Sequence, residues 1–137
     1  MIASRVSKIQ WSFFFVVVLS TMSLSGQSVE DLLTRAELTD FAETTSYEEV
    51  MELSKSLAEL SDDIHLTTFG YTNEGRALPL LVVGAPDASS AAVLGTGKTR
   101  VYVQGNIHGG EVCGKEALLM LLRGYAMGRY PSWTEEL

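Results

Sequence analysis

One stretch limits the choice of fold more than any other: Arg100 to Met127, where an alternating apolar run passes through a glycine-rich turn into a long apolar helical pattern. Arg100 to Ile107 (RVYVQGNI) sets Val101 and Val103 on one face and ends in Gly105-Asn106, the pattern of a strand entering a tight turn. Val112 to Met127 (VCGKEALLMLLRGYAM) then places Ala117, Leu118, Leu121, Leu122 and Tyr125 on one stripe, backed by Leu119 and Met120. So much apolar surface suits a helix laid on a sheet. Gly124 and Gly128 weaken the end of this helix, and Tyr130-Pro131 closes it. A strand handing over directly to a sheet-covering helix predicts an α/β fold. It also puts the connecting residues at the carboxyl edge of a sheet, where open α/β folds bind ligands.

Those connecting residues read GNIHGGEVCGK, Gly105 to Lys115. His108 and Glu111 stand three positions apart, joined by Gly109 and Gly110, which are expected to let the backbone turn sharply. An imidazole nitrogen and a carboxylate so placed can meet at one ion, and zinc suits this donor pair. A catalytic zinc typically takes three protein ligands and a water, and this stretch supplies two. A bare HxxE spacing also arises on ordinary helices as a surface pair, so the chemistry depends on the surroundings. Cys113 is read as a small residue at the helix start.

Upstream, Ser46 followed by Glu49 is a capping box, and Val50, Leu53, Leu57 and Leu60 recur at helical spacing, predicting a helix over Tyr47 to Leu60. Ile64 to Tyr71 (IHLTTFGY) alternates, a turn follows at Thr72 to Arg76, and a second apolar run spans Ala77 to Gly84, so the two form a β-hairpin. His65, near the start of its first strand, is read as plain surface. Pro86 to Thr99 (PDASSAAVLGTGKT) has the composition of a loop. Within it, AVLGTGKT mimics a phosphate-binding loop, but that chemistry needs a strand before the glycines and a helix after them. Here a loop precedes and a strand is expected to follow, so nucleotide binding is rejected.

The amino terminus belongs to targeting rather than to the fold. Arg5 and Lys8 precede the short apolar core Trp11 to Leu19 (WSFFFVVVL), and Ser23 and Ser25 are small residues at cleavage-site positions, so residues 1–25 read as a signal peptide. The run is too short for a membrane anchor, and the product is expected to be secreted or periplasmic, with no membrane association after cleavage. Removing Arg5 and Lys8 leaves 8 basic residues against 17 acidic ones, a formal charge of −9. That disfavours nucleic acid and anionic membranes as partners. A single cysteine allows no internal disulfide, so the fold must rest on its core. Residues 26–45 are polar and weakly periodic, a linker or lead-in with room for a helical turn, which leaves 46–137 as the folded domain.

The hairpin GYTNEGRALPL (Gly70 to Leu80), followed by the strand, GNIHGGEVCGKEAL and the helix, resembles the zinc carboxypeptidases of peptidase family M14. The resemblance spans about Ser46 to Leu137. It implies part of a three-layer α/β/α carboxypeptidase-like fold with a mixed sheet, cut after the helix that follows HxxE. It further implies His108 and Glu111 as the first two ligands of Zn2+, peptide or protein substrates, and release of C-terminal residues. Members with HARE carry a substrate-contacting Arg where this chain has Gly110. The third zinc-binding His, the groups that grip a substrate's carboxylate and the general-base Glu lie further downstream in the family, without counterparts up to Leu137. As a fragment the chain is therefore expected to be nearly inactive. An amidohydrolase resembling the aspartoacylase and succinylglutamate desuccinylase branch is the alternative within the same fold, and an exported, non-catalytic M14-like binding domain is the alternative outside enzymes.

Overall fold

Ser46 starts the first long helix. In the computed structural model, which describes residues 28–137, its Oγ accepts from the Glu49 amide at 3.2 Å while the Glu49 carboxylate accepts from the Ser46 amide at 2.8 Å. This closed capping box satisfies two otherwise orphaned donors. A four-residue helix α1 (Arg35–Leu38) comes before it, and the capped helix is α2 (Tyr47–Leu60). The inward face of α2 centres on Ser54 and Leu57, both buried, whereas Leu60 at its end is exposed.

The strands β1 (Ile64–Tyr71) and β2 (Ala77–Val83) form the hairpin that the alternation predicts, pairing antiparallel with a register from Ile64↔Val83 to Tyr71↔Ala77. The Thr72 amide donates to the Arg76 carbonyl at 2.9 Å across the turn, and Gly75 adopts φ +79°, a conformation costly to any side chain. A bulge between Thr68 and Gly70 sits opposite Pro79, which has no amide hydrogen to offer the ladder. The stretch read as a pure loop contains a short helix α3 (Ser90–Gly95), capped by Ser89, whose Oγ accepts from the Ala92 amide at 3.1 Å. The TGKT residues thus follow a helix and lead into chain without regular structure, the reverse of a phosphate-cradling arrangement.

The long helix α4 (Cys113–Ala126) packs on α2, which in turn packs on the hairpin. Gly124 has a packing role near the end of α4. A Cβ there would come within 2.9 Å of the Tyr130 ring, so the glycine makes room for Tyr130, which stacks on Trp133 of α5 (Pro131–Glu136) at 4.7 Å. Gly128, at φ +71°, ends the helix by donating to the Tyr125 carbonyl at 2.8 Å. Leu57, Ile64, Ala85, Leu119 and Tyr125 form the core with Leu32 and Ala36.

Two expectations need correcting. Arg100 to Ile107 forms no strand and joins no sheet, and Val101, Tyr102, Val103 and Ile107 are exposed. This stretch and β2 line the same cavity of about 1100 Å³, and no backbone ladder joins them. The mixed sheet needs this stretch as a further strand; among the described residues the sheet has two strands, antiparallel. The polar lead-in, for its part, is docked. A 3₁₀ turn (Val29–Asp31) and α1 bury Leu32 and Ala36, and Arg123 of α4 reaches back to donate to the Leu32 carbonyl at 2.7 Å and to the Glu37 carboxylate with both guanidinium nitrogens. The α/β class and the partial carboxypeptidase-like architecture stand. Residues 1–25, read as a signal peptide, lie outside the described residues, among which no helix is long and apolar enough to cross a membrane.

Candidate metal site

The loop carrying His108 and Glu111 is closed by a backbone crossing. A Cβ on Gly105 would meet the Gly114 carbonyl carbon at 2.8 Å and Leu118 Cδ1 at 3.0 Å; one on Gly114 would meet Gly105 Cα at 3.1 Å. Only two glycines let the incoming chain touch the first turn of α4 so closely. Asn106 follows at φ +60°, in the left-handed region asparagine tolerates better than most residues. The glycines inside the motif behave differently from expectation: Gly109 and Gly110 do not have positive φ, and a Cβ on either would meet nothing within 4 Å. The sharp return therefore depends on Gly105 and Gly114. Gly105→Ala is expected to lower stability by about 1–3 kcal/mol, as overpacking against rigid backbone does, while Gly110→Ala is neutral or slightly stabilising. Urea unfolding of the two variants beside the parent measures this.

Within the loop the Glu111 amide donates to the His108 carbonyl at 3.0 Å, a single turn that brings the two side chains together. His108 Nδ1 lies 2.9 Å from Glu111 Oε1, and the His108 amide points at Oε2 from 3.4 Å. Both side chains are open to solvent, 79% and 58% exposed. Two ligands about 2.0–2.1 Å from a tetrahedral ion stand about 3.3 Å apart, so the pair needs to open by only a few tenths of an ångström to reach the spacing that zinc requires. The donor set and its convergence fit the ion.

The structure does not add a third donor. His65 Nε2 is engaged with the Ala85 carbonyl at 2.7 Å, and Cys113, exposed, is the first residue of α4. Among the described residues no group of three or more His, Cys, Asp and Glu could hold a metal ion.

Sequence reasoning missed what holds this loop in place. Glu116, in the first turn of α4, accepts from Thr44 Oγ, Thr45 N and Thr45 Oγ, each at 2.7 Å, and Lys115 Nζ lies 3.3 Å from its carboxylate. Lys115 also donates to Thr44 Oγ. Burial pushes the Glu116 pKa up, but the hydrogen bonds from Thr45, Thr44 and Lys115 outweigh it and hold the group at about 2. The sequence offered one clue, a charged residue inside an apolar helix pattern; its partners, 71 and 72 positions earlier, could not be read from spacing.

Beside a two-stranded sheet flanked by helices, the loop that enters α4 thus carries an exposed His and Glu pair, a donor set suited to a metal ion. The sequence model of peptidase family M14, described as zinc carboxypeptidase, matches residues 50–134, more than half of the chain. The chain belongs to that family, whose substrates are peptides or proteins. No curated protein and no solved structure matches it.

Proposed function

We propose that this chain carries two ligands of a catalytic zinc site, His108 and Glu111, and that its role is carboxypeptidase-type proteolysis after export. The observation that carries the proposal is the 2.9 Å approach of Nδ1 and Oε1 on an exposed loop inside the segment matched by the family. When bound, zinc supplies a Lewis acid that polarises a scissile carbonyl and lowers the pKa of a coordinated water. His108 and Glu111 fix its place, and their exposure leaves an extended peptide free to approach. Gly110 leaves open space beside the pair, where relatives with HARE set an arginine. The EGR turn of the hairpin and the carboxypeptidase model favour peptides over the N-acyl amino acids of the amidohydrolase branch.

With two donors in this stretch, the purified chain is expected to bind zinc weakly and to release C-terminal residues from peptides at close to the blank rate. Liberated amino acid, quantified after incubation with zinc, tests this. Clear turnover that disappears in His108→Ala would overturn the two-ligand account.

A further inference from the structure

The loop bearing His108 and Glu111 has both ends fastened to one turn of α4. Its entry touches that turn through Gly105 against Gly114, and at its exit the Gly114 amide donates to the Glu111 carbonyl at 3.4 Å. Wherever this turn goes, the loop goes with it. The residue before the helix, Val112, offers no side-chain cap, so the polar anchorage of the turn comes from Lys115 and Glu116. Lys115 Nζ reaches the Val112 carbonyl at 3.5 Å, one residue past Glu111, as well as Thr44.

Glu116 fixes the turn from the other side. Its two oxygens take three hydrogen bonds from Thr44 and Thr45, which directly precede the cap of α2. Thr45 is itself held, since its Oγ accepts from the Arg35 amide at 3.1 Å and the residue is almost wholly buried. A carboxylate with both oxygens bonded to a buried joint cannot slide or rotate without losing charge-assisted hydrogen bonds.

From this geometry, and resting on the reading of His108 and Glu111 as zinc ligands, we propose that Glu116 is a positioning residue for the metal site: it locks the first turn of α4 against the Thr44-Thr45 joint and so fixes where the ligand loop presents its imidazole and carboxylate. Glu116 does not touch the ion. It acts by preorganisation, sparing the two ligands the cost of ordering the loop when the ion arrives.

The test is a zinc titration of the full chain, followed by calorimetry and carried out where each variant is folded. Glu116→Ala is expected to raise the zinc dissociation constant about tenfold, the lower end of what outer-shell losses cost. Glu116→Gln keeps an oxygen for the Thr44 and Thr45 donors and is expected to stay within about threefold of the parent. Thr45→Val, which deletes one donor and keeps the shape, is expected to fall between them and serves if Glu116→Ala does not fold. Unchanged affinity in folded Glu116→Ala and in Thr45→Val overturns the proposal, because a residue that only stabilises the fold would leave the affinity of folded molecules alone. His108→Ala separates the two layers of inference. If it binds zinc like the parent, the ligand assignment fails first; if it loses zinc while the Glu116 and Thr45 variants bind normally, only the positioning role fails.

Discussion

Arg123→Leu is expected to lower the free energy of unfolding by about 3–5 kcal/mol, the range found when one partner of a buried ion pair is removed. The guanidinium is 10% exposed and the Glu37 carboxylate it grips is 16% exposed, so neither end of the pair is easily rescued by water. Arg123 donates to both Glu37 oxygens and to the Leu32 carbonyl, and its loss strands a carboxylate and a carbonyl together. Glu37 records the interaction: its pKa lies below the ordinary value, chiefly through the Arg123 hydrogen bond. The cost arises from the unpaired partner rather than from any large net gain of the pair. Arg123→Leu with Glu37→Leu is therefore expected to recover most of the loss. Urea unfolding followed by circular dichroism measures both; a single variant within about 0.5 kcal/mol of the parent would contradict the docking of the lead-in on α4.

The second large effect is in acid. Glu116 is held at about 2 in the folded chain against an ordinary value of 4.5. A depressed folded pKa gives stability that is fully present above the unfolded value and disappears as pH falls through the folded one. The window runs from just above pH 4.5 down to about 2, and the stabilisation at stake is about 3 kcal/mol, as the side chain is only 9% exposed. Glu37 also titrates low, so the parent's acid profile contains both groups. Glu116→Gln isolates one of them. Its stability is expected to lie below the parent's at neutral pH and to converge with it as pH falls toward 2. Parallel profiles down to pH 2 would show that the Thr44 and Thr45 hydrogen bonds do not hold this carboxylate.

Features written in local spacing were legible. The Ser46 and Glu49 capping box set the start of α2, and alternation around the Thr72 to Arg76 turn gave the hairpin. His108 and Glu111 could be picked out because three positions and one turn suffice to bring their side chains together. What stayed hidden depends on residues far apart in the chain. Thr34 and Glu37 form a capping box as clear as that of α2, but the helix it opens is four residues long and has no periodicity to reveal it. Its burial depends on Arg123, 86 positions away from Glu37. The alternation of Val101 and Val103 is equally real, yet a strand exists only with a partner edge, and no local pattern says whether that edge is within reach. The motif glycines show the same limit: Gly109 and Gly110 draw the eye, whereas Gly105 and Gly114 are required, because their contact is made in three dimensions.

Zinc calorimetry on the purified chain and on His108→Ala tests the central claim most directly. The parent is expected to bind one zinc ion per chain, saturably and more weakly than a site with a full set of protein ligands, and His108→Ala is expected to lower that affinity at least tenfold. Equal binding by the two proteins would contradict the assignment of His108 and Glu111 as a zinc-binding pair.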